Sequence, residues 1–392
     1  MTTPALFWPP TLTSGPESGL CNQLYALIGW FLILNKTRSQ WSGMVLPRFT
    51  THDTNGTSVP FAALYDARAL AESLWTRVGL TVWDCGQCIP DSQADDNLTA
   101  VVVNDVRPAG VHGPPVQMVW RPPARGALLL RAEANQSSYF RAATRSFKGA
   151  LEGWHEYKHF SSSRNLLMNS TERTGSRRYA DPSTYIEEAV YAGLSPSARM
   201  LQRVRETKES LGLLGQDYGC LHARIELDMI ASWTVNRAGR PPRLRSYMDS
   251  LARFSFLHNV SLVFVAVGLD ITPEDDRALN RDRTSWGAQL VRSTLLKSMP
   301  KRRDGSEHSY TEASLVDLQI CRDASWLVGF GGSTFTRVAA RSRTDGRWVA
   351  TCPNSADSRV VHTDEGIDNW SLCPPTNPSA GHVRCSFGLK CD

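Results

Sequence analysis

Short apolar runs separated by helical or loop segments are the feature that most restricts the fold of this chain. In the second half, such runs cover residues 218–225, 262–267 and 325–328, and each has the length and apolar character of a buried strand. Buried strands that alternate with helices are typical of a parallel sheet. The sequence therefore predicts an α/β fold.

The first half begins in a related way. Residues 1–18 are rich in Pro, Thr and Gly, residues 22–35 carry apolar side chains at helical spacing, and residues 44–47 resemble a strand. A loop that leads into a helix leaves the helix amino terminus available to an anion. We also expect strands at 80–83, 100–103 and 127–130, and a mostly helical region at 147–209.

Chain length indicates the number of domains, and charge indicates whether a nucleic-acid partner is expected. Because 392 residues exceed one typical core, we expect two lobes, residues 1–212 and 213–345, followed by a Cys-rich tail at 346–392. Lys and Arg total 43 against 38 for Asp and Glu, without a long basic block, so we expect no nucleic-acid partner.

Asparagine and cysteine usage indicates an oxidising compartment. Seven of fourteen asparagines begin an Asn-x-Ser/Thr triplet, at positions 35, 55, 97, 135, 169, 259 and 369. Four of the nine cysteines lie in the tail, where we expect disulfides. We therefore predict the secretory pathway, in the lumen of the Golgi or endoplasmic reticulum. No signal peptide or 18-residue apolar span is found, so we expect a truncated start, and a membrane anchor would lie outside this sequence.

The predicted strand at 218–225 carries a candidate for phosphate binding. His222 and Arg224 are two positions apart near its carboxyl end, where ligands of open α/β sheets gather. An arginine suits a diphosphate leaving group whose negative charge grows as a sugar departs. The alternative is structural, since Arg224 could simply pair with Glu226 or Asp228 at a strand end.

A second candidate follows the strand at 325–328. Three glycines precede Ser333 and Thr334, so backbone N–H groups and hydroxyls would meet a ligand at a positive helix terminus. Asp317 lies upstream. The segment lacks the Walker lysine, and the alternative is a capped helix after a tight turn.

Taken with the loop Gly19-Leu20-Cys21-Asn22-Gln23, these segments resemble GDP-fucose-dependent protein O-fucosyltransferases and the related plant O-fucosyltransferase-like proteins. The middle motif continues in the plant manner, as His222, Arg224, Glu226, Asp228 and Met229. The last motif pairs Val316-Asp317-Leu318 with Ser333-Thr334-Phe335. The motifs occur in the family's order and spacing.

The resemblance implies a GT-B type fold, in which two Rossmann-like lobes face a cleft. It implies a GDP-fucose donor, a protein or glycan acceptor, inversion at the sugar carbon, and neither a cofactor nor a bound metal. Plant relatives include enzymes thought to use rhamnose, so the sugar is left open. So is the acceptor, which could be a Ser or Thr of a folded domain, a glycan hydroxyl or a cell-wall polysaccharide.

The resemblance also implies roles for individual residues. Arg224 would hold the β-phosphate, and Asn22 would face the phosphate and the acceptor hydroxyl as a second catalytic residue. His222 and Asp317 would bind guanine. The remaining predicted contacts with substrate are Gly19, Leu20, Cys21, Asp228, Ser333, Thr334 and Phe335. Three carboxylates are candidates for the general base, namely Glu17, Glu226 and Asp228.

Three other interpretations compete. His155-Glu156-Tyr157-Lys158-His159 fits the H-E-x-x-H pattern of zinc proteases, although Lys158 is charged where such helices are usually uncharged. Cys85 and Cys88 form a C-x-x-C pair, which we interpret as a local disulfide. A non-catalytic protein that binds a glycan or nucleotide is the third interpretation, since a fold does not determine a function.

Overall fold

The structure is a computed structural model. It describes residues 6–7, 19–36, 43–50, 58–84, 182–226, 243–251, 259–268, 271–280, 286–292, 310–330, 333–341, 343 and 348–351. The chain divides into two compact units, and the boundary falls between Leu201 and Gln202.

In its described residues, the first unit combines two small sheets with four helices. Its elements are β1 (Leu6–Phe7), α1 (Leu20–Lys36), β2 (Gly43–Val45), β3 (Phe49–Thr50), β4 (Ser58–Val59), α2 (Phe61–Leu64), α3 (Ala67–Val78), β5 (Val82–Trp83) and α4 (Pro182–Gly193). Strands β1, β2 and β5 pair in parallel in that order, and β3 pairs with β4 in antiparallel fashion.

Helix α1 is the buried centre of this unit. It confirms the helix expected at 22–35 and begins two residues earlier, because the Gly19 carbonyl accepts hydrogen bonds from the N–H groups of Asn22 and Gln23. Most of its side chains are buried, as expected of a helix that is apolar on all sides. Within the described residues, no helix has the length and apolarity needed to cross a membrane.

Helices α3 and α4 pack closely for local reasons. The Asp66 side chain accepts hydrogen bonds from the N–H groups of Arg68 and Ala69 and thereby caps α3. Gly193 ends α4 against α3, where a Cβ atom would lie 2.8 Å from the Leu70 Cα. The two helices can therefore approach only because this position lacks a side chain.

The second unit is a five-stranded sheet covered by helices. After α5 (Ala198–Ser210), which crosses the boundary, it contains β6 (Tyr218–His222), α6 (Leu244–Leu251), β7 (Leu262–Ala266), α7 (Pro273–Leu279), β8 (Gln289–Arg292), α8 (Tyr310–Asp323), β9 (Trp326–Phe330), α9 (Thr334–Arg341) and β10 (Trp348–Thr351). The strand order is β10-β9-β6-β7-β8, and every pair is parallel. The predicted parallel α/β fold is confirmed.

Strand β6 occupies the middle of this sheet. From β6 the chain moves through β7 to β8 on one side, and it then returns through α8 to β9 and β10 on the other side. The connections thus diverge between β6 and β9. At such a switch point of an open parallel sheet, the carboxyl ends of the strands border a crevice in which ligands bind.

Strand β6 is shorter than predicted, because the chain leaves the sheet soon after His222. The Ala223 N–H still donates to the Ala266 carbonyl, but the Ile225 N–H turns back to the Ala223 carbonyl. Strands β8 and β10, which have four residues each, were not predicted from the sequence. Such short strands become recognisable only through their neighbours in the sheet.

Several sequence predictions lie outside the described residues, namely the strands at 100–103 and 127–130 and the disulfides of the tail. Two of the Asn-x-Ser/Thr triplets begin at asparagines within the described residues. Asn35 lies near the end of α1, and Asn259 is exposed just before β7.

A disulfide connects β6 to α8. Cys220 and Cys321 are bonded at an S–S distance of 2.03 Å and are 101 residues apart in the chain. The sequence analysis did not identify this pair. Its two cysteines are far apart in sequence, and neither belongs to the C-x-x-C pair or to the tail.

The contact between Gly219 and Trp326 generates a stability prediction. A Cβ atom at Gly219 would overlap the six-membered ring of the buried Trp326 indole. We expect Gly219→Ala to destabilise the fold by about 1–3 kcal/mol through overpacking, measured by urea unfolding. Adding Trp326→Phe, which removes one ring, should restore part of the loss. No recovery in the double variant would contradict this packing.

The disulfide generates a second prediction. Cross-linking a loop of roughly 100 residues restricts the unfolded chain by up to about 4.7 kcal/mol. We expect Cys220→Ala and Cys321→Ala each to lower the melting temperature, and the double variant to be little worse than either, because each single change already breaks the bond. Non-reducing peptide mapping should find the two cysteines in one cross-linked peptide. Additive losses would contradict the bond.

Candidate functional site

The carboxyl edge of the second unit's sheet gathers most of the predicted site residues that the structure describes. His222 is the last residue of β6, and Arg224 and Glu226 follow it within four residues. Ser333, Thr334 and Phe335 lie where α9 begins after β9. Because β6 and β9 are adjacent and parallel, these two segments meet at the switch point of the sheet.

His222 is held by its neighbours on β9 and α9. It pairs with Gly329 of β9, and its Nδ1 atom lies 2.8 Å from the Thr336 Oγ1 atom. Its ring stacks on Phe335, with ring centroids 4.4 Å apart. The imidazole is 6% exposed, so its orientation is fixed by neighbours on α9.

The contact between α9 and the sheet depends on Gly329. A Cβ atom at this position would overlap the Thr336 hydroxyl and lie 3.2 Å from the His222 Cβ. A side chain would therefore separate Thr336 from His222. The glycine allows the first turn of α9 to lie directly against the end of β6.

The start of α9 has the properties expected of an anion site. The Ser333 N–H donates to the Phe330 carbonyl, and the Ser333 carbonyl accepts the Arg337 N–H, so Ser333 is the residue that leads into the helix. Ser333, Thr334 and Phe335 are all partly exposed. The first N–H groups of a helix lack partners within it and favour negative charge.

Arg224 lies two residues beyond the end of β6. Its Nη1 atom is 3.0 Å from the Glu226 Oε2 atom, and its side chain is 28% exposed. The Glu226 Oε1 atom accepts a hydrogen bond of 2.7 Å from the Gly268 N–H. The ion pair that the sequence left open as a structural alternative is thus present, and the guanidinium keeps an accessible surface.

Tyr247, which the sequence analysis missed, lies close to this pair. It is fully buried on the face of α6 that packs into the core. Burial raises the pKa of its hydroxyl well above the ordinary value, the Glu226 charge acts in the same direction, and Arg224 acts in the opposite direction. Tyr247 therefore stays protonated beneath the ion pair.

Asp317 is buried in the middle of α8, and the disulfide connects its helix to the strand that carries His222. Asp317 and Cys321 are four residues apart and share one helix face. Cys220 and His222 are two residues apart and share one face of the sheet. The bond thus joins the helix face of Asp317 to the sheet face of His222.

The remaining predicted residues of the first unit lie at the start of α1. Leu20 and Cys21 are buried in the core of that unit, and Asn22 is half-buried. Among the described residues, the buried Oδ1 atom of Asn22 has no hydrogen-bond partner. Gly19 has open space around its Cα, so steric contact does not require a glycine there.

Other candidates lie outside the described residues. These are Glu17, Asp228, the H-E-x-x-H segment at 155–159, and the C-x-x-C pair Cys85 and Cys88. Within the described part of the chain, no group of three or more His, Cys, Asp or Glu side chains could hold a metal ion.

No protein-family model and no curated protein matches this chain. Its structure is similar to solved structures of fucosyltransferases. POFUT1 in complex with GDP has a TM-score of 0.47 and 13% identity, covering 89% of this chain and 99% of that chain. NodZ from Bradyrhizobium has a TM-score of 0.45 and 10% identity, covering 92% and 99%.

The bond between His222 and Thr336 generates a prediction that needs no assumption about activity. Thr336→Val keeps the shape of the side chain but leaves the buried imidazole nitrogen without this partner. We expect a loss of about 1–3 kcal/mol in the free energy of unfolding. Thr336→Ser, which keeps the hydroxyl, is the matched control and should lose less. Equal losses in both variants would contradict a role for the hydroxyl.

Proposed function

We propose that this chain is a glycosyltransferase that moves fucose from GDP-fucose to a hydroxyl of a protein or glycan acceptor. The observation that carries the proposal is that an accessible arginine and a helix amino terminus both occur at one switch point of the sheet. Arg224 lies two residues after the end of β6, and Ser333 to Phe335 open α9 against His222, the last residue of that strand. Both features favour a ligand with concentrated negative charge.

The chemistry of the reaction explains why such a ligand fits. The acceptor hydroxyl oxygen attacks the anomeric carbon, and the bond between that carbon and the β-phosphate oxygen breaks. The bonding electrons leave with the diphosphate, and the hydroxyl proton passes to a base or to water. Arg224 and the N–H groups of α9 would stabilise the charge that grows on the leaving group.

The diphosphate group is common to many donors, so the nucleotide base must be recognised by other residues. The motif resemblance assigns guanine to His222 and Asp317. Support comes from the stacking of His222 on Phe335, because a flat ring beside a second flat ring can continue into a purine. The buried Asp317 carboxylate is the acceptor type that guanine N–H groups require.

The remaining parts of the proposal follow the resemblance. Residues 1–212 and 213–345 would each form a Rossmann-like lobe of the GT-B type, followed by the tail at 346–392. Asn22 would contribute from the first lobe, next to the acceptor hydroxyl. Transfer would invert the anomeric carbon without a metal ion, since the positive groups named above take the role that a metal takes elsewhere. The lumen of the secretory pathway is the proposed location.

A non-catalytic nucleotide-binding protein is the second candidate, because Arg224 is already engaged by Glu226. A purely structural ion pair would need no ligand. The accessible fraction of the Arg224 side chain suits a bound diphosphate in either protein, and turnover separates the two. Binding of GDP without hydrolysis or transfer of any donor would support the second candidate.

The donor can be identified without knowing the acceptor. We expect GDP to raise the melting temperature more than UDP does, because binding to the folded state stabilises it. We also expect slow hydrolysis of GDP-fucose in a screen that includes GDP-rhamnose and UDP sugars. Preference for a uridine donor would contradict the assignment of guanine. Activity should persist in excess EDTA, and a strict requirement for manganese would contradict the metal-free mechanism.

Arg224 is the residue on which turnover should depend most. We expect Arg224→Ala to lower turnover about 10²–10³-fold even at saturating donor, because stabilisation of the leaving group is a transition-state interaction. Arg245→Ala is a matched control, since this side chain is 90% exposed on α6 of the same unit. Unchanged turnover in Arg224→Ala would overturn the role of Arg224.

A further inference from the structure

We infer that Glu226 is a positioning residue that orients Arg224 towards the leaving group, and that it is not the general base. The inference rests on the proposed function. It removes Glu226, which the sequence analysis offered as a catalytic carboxylate, from the three candidates for the general base. The evidence is the set of contacts that the two carboxylate oxygens of Glu226 make.

The Glu226 carboxylate is bound from two directions. Its Oε1 atom accepts the Gly268 N–H at 2.7 Å, and its Oε2 atom lies 3.0 Å from the Arg224 guanidinium. The residue is 8% exposed, so little of it meets solvent. A base must reach a hydroxyl of the incoming acceptor, whereas here Oε1 accepts a backbone hydrogen bond and the buried Oε2 faces the Arg224 guanidinium as an ion pair without a hydrogen bond.

Backbone geometry makes the arrangement rigid. Gly268 follows β7 by two residues, and a Cβ atom there would lie 2.5 Å from the Glu226 Cγ atom. A residue with a Cβ atom there would displace the Glu226 carboxyl group from its present position. The acceptor of that hydrogen bond is 42 residues away in sequence, so the strand pairing of β6 with β7 brings the two together.

Arg224 gains a fixed direction from this arrangement. An arginine has many rotamers, and freezing them before the donor binds lowers the entropy lost in the reaction. Glu226 takes one edge of the guanidinium, and 28% of the side chain stays accessible for phosphate oxygens. The protonated Tyr247 below the pair adds no second negative charge that would compete for the arginine.

The test is a double-mutant cycle on donor hydrolysis. If Glu226 acts through Arg224, Glu226→Ala should lose about as much turnover as Arg224→Ala, and the double variant should be no worse than either. Glu226→Gln keeps one oxygen as a hydrogen-bond acceptor and should retain at least tenfold more turnover than Glu226→Ala. Gly268→Ala should resemble Glu226→Ala while the melting temperature shows a folded protein.

A rescue experiment reads the same contact directly. Added guanidinium ion should restore part of the turnover of Arg224→Ala, because the Glu226 carboxylate, held by the Gly268 N–H, can still bind it. It should restore none in the Arg224→Ala/Glu226→Ala variant. Asp323→Asn is the control for loss of a carboxylate, since Asp323 pairs with Lys208 at the amino edge of the same sheet. We expect its turnover to be unchanged.

The outcomes separate the two proposals. An unaltered protein that hydrolyses no nucleotide sugar would overturn the proposed function, and the inference with it. An active protein in which Glu226→Gln is as inactive as Glu226→Ala, with losses that add to those of Arg224→Ala, would overturn the inference alone. Glu226 would then act in its own right, as a base does.

Discussion

The candidate site depends on the close approach of α9 to the end of β6, and this approach depends on Gly329. Hydrogen-bonded pairing places Gly329 beside His222. Without a side chain there, the Thr336 hydroxyl reaches His222 Nδ1, and Phe335 lies flat against the imidazole. The helix amino terminus therefore ends up next to the strand that precedes Arg224. A larger residue would push the helix away from the end of β6.

Several glycines of this unit lie where a side chain would prevent a close contact. Gly219 leaves room for the Trp326 indole, and Gly268 brings an N–H group to Glu226. In both positions a Cβ atom would overlap its neighbour. The sheet thus combines close packing in its interior with a fixed carboxylate at its edge. Rigidity at that edge suits a reaction in which charge must be met at a defined position.

The disulfide extends this rigidity to α8. Cys220 and Cys321 connect the face of β6 that carries His222 to the face of α8 that carries Asp317. Both residues are assigned to guanine in the proposed function. A covalent bond between their elements keeps their separation constant, which matters because a ring with several hydrogen-bonding groups is recognised by donors and acceptors at fixed distances. The bond also agrees with the oxidising compartment that the sequence predicted.

Three core strands of the second unit could be predicted from the sequence, together with the residue types of the proposed site. Apolar runs located β6, β7 and β9, and the motifs nominated His222, Arg224, Asp317 and Ser333, because periodicity and residue type are local properties. The pairing of β9 with β6, the bond between Cys220 and Cys321, and the hydrogen bond from Gly268 to Glu226 emerged only from the tertiary fold. Those contacts join residues from 42 to over 100 positions apart, and their partners are selected by strand register and packing, which no local pattern records.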